Sequence, residues 1–144
     1  MLVSHILKSK ADDSVVTALP STTIAQAAQM LSERRIGTLI ISRDARNPDG
    51  ILSERDIVRQ LGRAGAACMN EPVSSIMTTK LVTCTRDMRA DAVLEQMTEG
   101  RFRHMPVVED GALVGLISLG DVVKARLMEL AMEKDALEGM IRGH

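Results

Sequence analysis

Two short segments of the chain carry a hydroxyl and a carboxylate at the same spacing. Ser53 precedes Asp56 by three residues, and Ser118 precedes Asp121 by three, in each case after a glycine and an apolar stretch. A serine at a helix start with an acid at the third helical position forms a capping box, which by itself would explain both pairs. The same helix start offers N–H groups and a positive dipole end to a phosphate, and an ionised aspartate can accept both hydroxyls of a ribose. The spacing therefore fits a helix cap, a nucleotide contact, or both.

The two segments belong to a longer internal repeat. Three groups of positions recur at offsets of 70, 66 and 65 residues: Val3 and Val73, Thr17 and Thr83, Ser53 and Ser118. The changes of offset mean insertions between matched segments, and such insertions belong in surface loops. The chain is therefore predicted to contain two related units in tandem.

The residue pattern within each repeat predicts the order strand, helix, strand, strand, helix. A helix over 23–34 is indicated by its apolar periodicity and by Thr23 and Gln26 at capping-box spacing, and its counterpart begins with Asp87 as the candidate cap. The later strands are expected at Thr38–Ile41 and Gly50–Leu52, and at His104–Val108 and Leu113–Ile117. The predicted fold class is α/β (α+β).

The predicted organisation has four parts. They are the first repeat (1–62), a linker (63–72), the second repeat (73–127) and a C-terminal helical extension (128–144). Because the whole chain has 144 residues, neither repeat could bury enough surface alone, and the two are expected to share a core.

Composition argues against several classes of partner. The chain has one aromatic residue, Phe102, and a net charge of −1, so it lacks the stacking platform and the basic excess of nucleic-acid binders. It shows no basic leader and no apolar run near the ~18 residues of a membrane span. We expect a cytoplasmic protein that binds neither nucleic acid nor membrane.

Catalytic and metal-binding patterns are missing from the sequence. His5 and His144 have no partner at metal-ligand spacing, and Cys68 and Cys84, 16 residues apart, are expected to be free buried thiols. There is no phosphate-binding P-loop and no G-x-G-x-x-G fingerprint. The sequence therefore predicts no enzyme activity and no metal.

The order of elements, its duplication and the Arg101–Val108 segment resemble the CBS domain pair, the Bateman module named after cystathionine β-synthase, from about Val3 to Leu127. The resemblance implies two repeats packed with pseudo-two-fold symmetry. It also implies that AMP, ATP, S-adenosylmethionine or NAD(H) binds in two clefts between the repeats. Each cleft would take its ribose-binding aspartate from one repeat and its adenine contacts and some phosphate contacts from the other.

Carried onto this sequence, the resemblance assigns residues to both clefts. The first cleft would contain Asp56, Ser53 and Arg55, with Arg103, His104 and the Met105 backbone from the second repeat. The second would contain Asp121 and Ser118 facing Gly37 and Thr38, while Thr17 and Thr83 would line the bases. The Asp121 cleft has none of the three cations Arg55, Arg103 and His104, so phosphate affinity is expected to concentrate at Asp56. Alternatively, Arg101, Arg103 and His104 form a solvated edge.

Two functions of different classes follow from the resemblance. The first is a regulatory module that senses an adenine nucleotide and signals energy or redox state to an unknown partner protein. The second is a structural or adaptor homodimer with vestigial clefts. The tail from Lys124 to Ile141 has an incomplete apolar stripe (Leu127, Leu130, Ala131, Leu137 and Ile141) that predicts a homodimer, unless it is a frayed terminal helix.

Overall fold

In the computed structural model the first repeat has the predicted order after an additional leading helix, whereas the first predicted strand of the second repeat is not formed. The structure describes residues 1–10 and 14–142, so His144 lies outside the described residues. The elements are α1 (Val3–Ser9), β1 (Thr17–Ala18), α2 (Ile24–Arg34), β2 (Thr38–Ile41), β3 (Gly50–Ser53), α3 (Glu54–Ala64), α4 (Ala90–Gly100), β4 (His104–Glu109), β5 (Ala112–Ser118) and α5 (Leu119–Ile141). Short 3-10 helices at Ala66–Asn70 and Val73–Ser75 connect α3 to the second repeat.

The first repeat forms a three-stranded sheet in the order β1, β2, β3. β1 runs parallel to β2, and β2 runs antiparallel to β3 with Thr38 opposite Ser53. Every residue of β2 is buried, and α2 packs its apolar face, which includes Ile24 and Leu31, into the same core. The predicted capping box of α2 is confirmed, because the Gln26 N–H donates to Thr23 Oγ1 at 3.1 Å and the Thr23 N–H donates to Gln26 Oε1 at 3.0 Å.

The second repeat has a two-stranded sheet of β4 and β5. Its first strand, expected near Thr83, is reduced to one parallel bridge between Cys84 and Val107. The backbone N–H of Cys84 donates to the Pro106 carbonyl, and the Cys84 carbonyl accepts from the Val108 N–H. Pro106 has no N–H with which to continue the ladder toward Val82, so the strand does not propagate.

The start of α4 differs from the prediction. The cap residue is Arg89, without a side-chain cap, and the prediction that Asp87 caps this helix was wrong. The Asp87 carboxylate accepts a hydrogen bond from the Thr85 hydroxyl instead. The first N–H of α4, that of Ala90, donates to the Met1 carbonyl at 2.9 Å. Backbone from the other end of the chain therefore takes the place of a side-chain cap.

Packing divides the described chain into two compact units that do not follow the two repeats. The Ser118 unit comprises the described residues of Met1–Asp13, Thr83–Val108 and Gly115–His144, and the Ser53 unit comprises Ser14–Val82 and Glu109–Val114. Because these units follow contacts rather than repeat order, the predicted boundaries at 62 and 73 stay predictions.

The division arises because each repeat begins with a segment that packs on a strand of the other repeat. In the Ser118 unit, Leu7 lies against Gly115, where an added Cβ would approach Leu7 Cδ2 to 2.7 Å. In the Ser53 unit, Met77 lies against Gly50, where a Cβ would approach Met77 Sδ to 2.6 Å. Leu7 and Met77 are themselves 70 residues apart, the offset of their segments. The glycine of each repeated motif thus makes room for the leading segment of the opposite repeat.

The long C-terminal helix is confirmed, since α5 runs for 23 residues. Its first turns pack against α4 and α1 through Val122 and Ala125, which are buried. Beyond Arg126 its apolar side chains are largely exposed. Among the described helices, α5 included, none combines the length and apolar character that a membrane span requires.

The glycine contacts predict the effect of adding one methyl group. Gly115→Ala should lower the free energy of unfolding by ~1–3 kcal/mol, because the new Cβ overlaps Leu7. In a double-mutant cycle measured by urea unfolding, Leu7→Ala should recover part of this loss, since the overlapping side chain is then absent. Gly62→Ala is the matched control, because nothing lies within 4 Å of its added Cβ and alanine favours the α3 interior by ~0.5–1 kcal/mol. Additive losses at positions 7 and 115 would contradict this packing.

Candidate functional site

In the Ser53 unit, the predicted serine and aspartate form a closed capping box at the start of α3. The Asp56 N–H donates to Ser53 Oγ at 3.2 Å, and the Ser53 N–H donates to Asp56 Oδ2 at 2.9 Å. The other carboxylate oxygen, Oδ1, lies 3.6 Å from Arg59 Nη1. Asp56 is 17% exposed, whereas Arg59 is 67% exposed. The carboxylate is therefore held in place through Oδ2. Its Oδ1 is paired only loosely with Arg59, a long exposed side chain that loses conformational entropy when it is fixed.

In the Ser118 unit, the second motif repeats this geometry and adds a lysine. The Asp121 N–H donates to Ser118 Oγ at 3.1 Å, and the Ser118 N–H donates to Asp121 Oδ2 at 2.8 Å. Lys10 Nζ lies 3.0 Å from the same Oδ2 and donates to the Leu116 carbonyl at 2.9 Å. Lys10 and Asp121 are both 25% exposed. This carboxylate is held by the cap and by a half-buried cation.

A second backbone contact places the residues before β2 and β4 at the helix starts. The Glu54 N–H donates to the Gly37 carbonyl at 2.9 Å, and the Leu119 N–H donates to the Arg103 carbonyl at 2.7 Å. Gly37 and Thr38 thus lie beside Ser53 within one unit. In the other unit, Arg103 lies beside the start of α5. Sequence reasoning assigned Gly37 and Arg103 to opposite clefts, and that crossed assignment stays a prediction.

The remaining predicted site residues differ in exposure. Arg55 is exposed and lines an open depression of about 400 Å³ with Glu54, Val58 and Arg59. Arg103 is exposed and His104 is half-buried. Met105 is fully buried, so only its backbone could contact a ligand. The two arginines are therefore accessible, while the methionine belongs to the core.

The two threonines near the first strands are not equivalent. Thr17 is half-buried and pairs with Ile40 in the parallel ladder between β1 and β2. Thr83 is exposed and lies just before the single bridge at Cys84. Thr38, by contrast, is 4% exposed and belongs to the fully buried β2. The structure holds Thr17 and Thr38 in one sheet and leaves Thr83 outside any strand.

Lys10 is the site residue that sequence reasoning missed. Its signal was present in the repeat, because Lys80 follows Lys10 by 70 residues, the same offset that separates Val3 from Val73. Lys80 is exposed. The leading segment that packs against the opposite repeat therefore carries a lysine in both copies, and one of them reaches a motif aspartate.

Lys10 contributes to keeping the Asp121 carboxyl ionised. Burial alone would raise the pKa of this carboxyl, but the hydrogen bond from the Ser118 N–H and the ammonium group of Lys10 outweigh it. The pKa of Asp121 is consequently held below its usual range. Asp121 is ionised at neutral pH and its charge is already compensated within the unit.

The other predicted features are placed as follows. Cys68 and Cys84 are buried, as expected, and neither forms a disulfide within the described part of the chain. His5 is exposed and accepts a hydrogen bond from the Leu2 N–H through Nδ1 at 3.0 Å. Within residues 1–10 and 14–142, no group of His, Cys, Asp and Glu has the arrangement of a metal site.

Comparison with known proteins agrees with this architecture. A family model for the CBS domain matches the chain twice, over residues 3–63 and 73–128. A CBS domain-containing protein of Arabidopsis thaliana, described as mitochondrial, is 31% identical over 148 aligned positions that cover 98% of this chain and 72% of the relative.

Two solved structures extend the comparison to three dimensions. A CBS-domain containing protein from Agrobacterium tumefaciens has a TM-score of 0.83 and 41% identity, covering 88% of this chain and 99% of that one. A CBS domain protein from Pyrobaculum aerophilum, solved in complex with AMP, has a TM-score of 0.78 and 27% identity, covering 92% and 99%. The predicted resemblance and the α/β fold class are confirmed.

The Lys10–Asp121 pair predicts an acid-sensitive contribution to stability. Because folding lowers the pKa of Asp121, the stabilisation is complete above the unfolded-state pKa of ~3.9 and disappears as the pH falls through the lower folded-state pKa. Lys10→Met should therefore reduce the free energy of unfolding at pH 7 and have a smaller effect near pH 3. Urea unfolding across this range measures the difference.

The matched control is Lys80→Met, the exposed equivalent in the second repeat. It should leave the pH dependence of stability unchanged. A Lys10→Met deficit of the same size at pH 7 and pH 3 would show that the ion pair is not its cause.

Proposed function

The chain belongs to the CBS domain family, and on that premise we propose that it is a regulatory module whose ligand contains adenosine. AMP, ATP and NAD(H) are the proposed ligands, and the proposed output is a signal of energy or redox state to a partner protein. The observation that carries the proposal is the pair of closed Ser-x-x-Asp helix starts, each holding an oriented carboxylate. The AMP complex of the Pyrobaculum protein, similar over 92% of this chain, supports the adenosine class.

The proposed ribose contact is made by Asp56. Its Oδ2 accepts from the Ser53 N–H, which orients the carboxylate, and its Oδ1 lies 3.6 Å from Nη1 of the exposed Arg59. A diol can displace an exposed guanidinium at small cost, because exposed ion pairs contribute ~0–1 kcal/mol. Arg55 and Arg59 beside the open depression add positive charge for a phosphate. Arg103, His104 and the Met105 backbone remain the proposed contribution of the second repeat.

The Asp121 site is proposed to bind more weakly. Lys10 occupies the carboxylate oxygen that also accepts from Ser118, and it is held by a second bond to the Leu116 carbonyl. A ribose there must share the carboxylate with this lysine or displace it. We therefore propose one principal nucleotide site and one whose occupancy depends on Lys10.

The ion pair of Lys10 with Asp121 also favours the structural or adaptor role for the Asp121 site. A cleft aspartate that is neutralised by its own chain fits a structural or adaptor role with a vestigial site. We propose binding rather than catalysis for both sites, because each motif aspartate is already engaged in capping a helix. No metal is part of the proposal.

The proposed assembly is a homodimer that acts on a separate regulated protein. The exposed apolar residues of α5 support the homodimer. The cytoplasmic location and the absence of nucleic-acid or membrane binding stay predictions from composition.

A thermal-shift screen separates the sensor from the adaptor. AMP, ATP and NADH should each be tested at millimolar concentration, with UMP as the nucleotide that lacks adenine. A ligand that binds the native state must raise the melting temperature, so the sensor predicts a shift with at least one adenine nucleotide and none with UMP. Unchanged melting with all three adenine nucleotides would favour the adaptor.

Calorimetric titration tests which site binds. Asp56→Asn retains an oxygen that can accept from the Ser53 N–H but loses the charge, and it should raise Kd roughly ten- to a hundredfold, since hydrogen bonds to a charged group contribute ~1.5–3 kcal/mol. Asp121→Asn should raise Kd for the principal site less than twofold, on the order of the surface-mutation effect. Arg63→Ala, an exposed position in the last turn of α3 that is not among the residues lining the depression, is the control for local disturbance. A larger loss from Asp121→Asn than from Asp56→Asn would overturn the assignment.

A further inference from the structure

The exposed part of α5 carries an apolar line with regular heptad spacing. Val123, Leu127, Leu130, Leu137 and Ile141 are separated by four, three, seven and four residues, and Lys134 occupies the missing position at four after Leu130. Spacing of four and three alternately keeps side chains on one face of a helix that meets another helix. Ile141 is 79% exposed, Leu127 62% and Leu137 59%, although all are large apolar residues. We call these six positions the α5 seam.

The seam lies on a different face from the one that α5 buries. Val122 and Ala125 are buried in the Ser118 unit, and neither belongs to the seam. At 100° per residue the seam positions cluster within about 40° of Val123, while Ala125 points about 160° away. From Val123 to Ile141 the seam extends about 27 Å at 1.5 Å per residue. It is a continuous surface long enough for a two-helix contact.

From the charges along this seam, we propose that a second molecule of the same chain packs its α5 antiparallel on it. This inference rests on the proposed homodimer and specifies its interface. In the antiparallel register, three layers form and each occurs twice: Val123 with Ile141, Leu127 with Leu137, and Leu130 with Lys134 of the other molecule. Every seam residue then has a partner, and neither lysine faces its own copy.

Charge separates this arrangement from its parallel alternative. In a parallel pair in register, Lys134 would meet Lys134 in the seam, and Glu133 would lie beside Glu138 of the other helix, which are both like-charge contacts. In the antiparallel pair, Lys124 flanks Glu138 of the other molecule. Lys134 can extend its ammonium group toward Glu133 of that molecule, which offsets the approach of the two Glu133 side chains. The antiparallel arrangement therefore pairs opposite charges that the parallel arrangement leaves facing like charges.

The side chains that would form these contacts are available in the described structure. Lys134 is 75% exposed, and its contact with Glu138 within the same helix is long, at 3.9 Å. Such an exposed pair contributes little and can be exchanged for an intermolecular one. Arg126, in contrast, is already engaged with Glu129 and lies outside the proposed charge pairs.

Sedimentation velocity over a range of concentrations tests the association. Wild-type protein should reach twice the 15.6 kDa mass of the chain, and Leu127→Glu/Leu137→Glu should sediment as a monomer because charges replace two seam layers. Met132→Glu is the matched control, since Met132 is 62% exposed like Leu127 but lies on the opposite face. The control should remain dimeric.

Single cysteines test the direction. Leu127→Cys and Leu137→Cys should each stay uncrosslinked alone under mild oxidation, whereas the two variants refolded together should form a disulfide dimer. Wild-type protein is the background, because Cys68 and Cys84 are buried. Crosslinking of each single variant with itself would establish the parallel arrangement and overturn the proposal.

The outcomes distinguish the interface from the homodimer itself. A wild-type monomer at every concentration would refute both. A dimer that persists in Leu127→Glu/Leu137→Glu, with no disulfide in the mixed cysteine variants, would keep the homodimer and refute the seam. Neither result depends on nucleotide binding, so the proposed ligand is tested separately.

Discussion

The structure depends on an exchange between its two repeats. Leu7, from the start of the first repeat, packs on Gly115 of the second, and Met77, from the start of the second, packs on Gly50 of the first. A side chain at either glycine would occupy the space of the incoming segment. Because both contacts are reciprocal, neither repeat completes its own packing. The compact units consequently mix residues from both ends of the chain, and duplication of sequence yields units that cut across the copies.

The same exchange determines how the two Ser-x-x-Asp motifs differ. The motifs themselves are nearly identical as helix caps, since each serine and aspartate exchange two hydrogen bonds. The incoming segment changes that equality, because Lys10 reaches Asp121 while the corresponding Lys80 is exposed. The Ser-x-x-Asp motif thus orients the carboxylate. The leading segment, which is distant in sequence, determines whether a lysine neutralises the charge of that carboxylate. Packing of the leading segment therefore adds to the difference that Arg55 already makes between the two motifs.

Features that depend on neighbouring residues could be predicted from the sequence, and features that depend on distant ones could not. The caps at Ser53 and Ser118 follow from a three-residue spacing, so periodicity and residue type suffice. Asp87 is a residue type that commonly caps helices, but it does not cap α4, because the Met1 carbonyl accepts from the first N–H of that helix. Lys10 lies 111 residues from Asp121, and nothing in its local sequence indicates that contact. The 70-residue offset between Lys10 and Lys80 shows that both repeats carry a lysine at this position. The packed structure is needed to show that Lys10 reaches an aspartate.

Asp121 and the α5 seam lie on one continuous helix, which gives a physical route between ligand and assembly. Asp121 is in the first turn of α5, and the seam begins at Val123. A ligand changes an assembly only to the extent that it binds its alternative states with different affinity. Displacement of Lys10 from Asp121 would remove one of the contacts that join the leading segment to the helix carrying the seam, and the ion pair between the Met1 amino group and Glu129 would remain. The lysine is therefore the element through which occupancy of this site could alter dimerisation, whereas binding at Asp56 involves a separate helix.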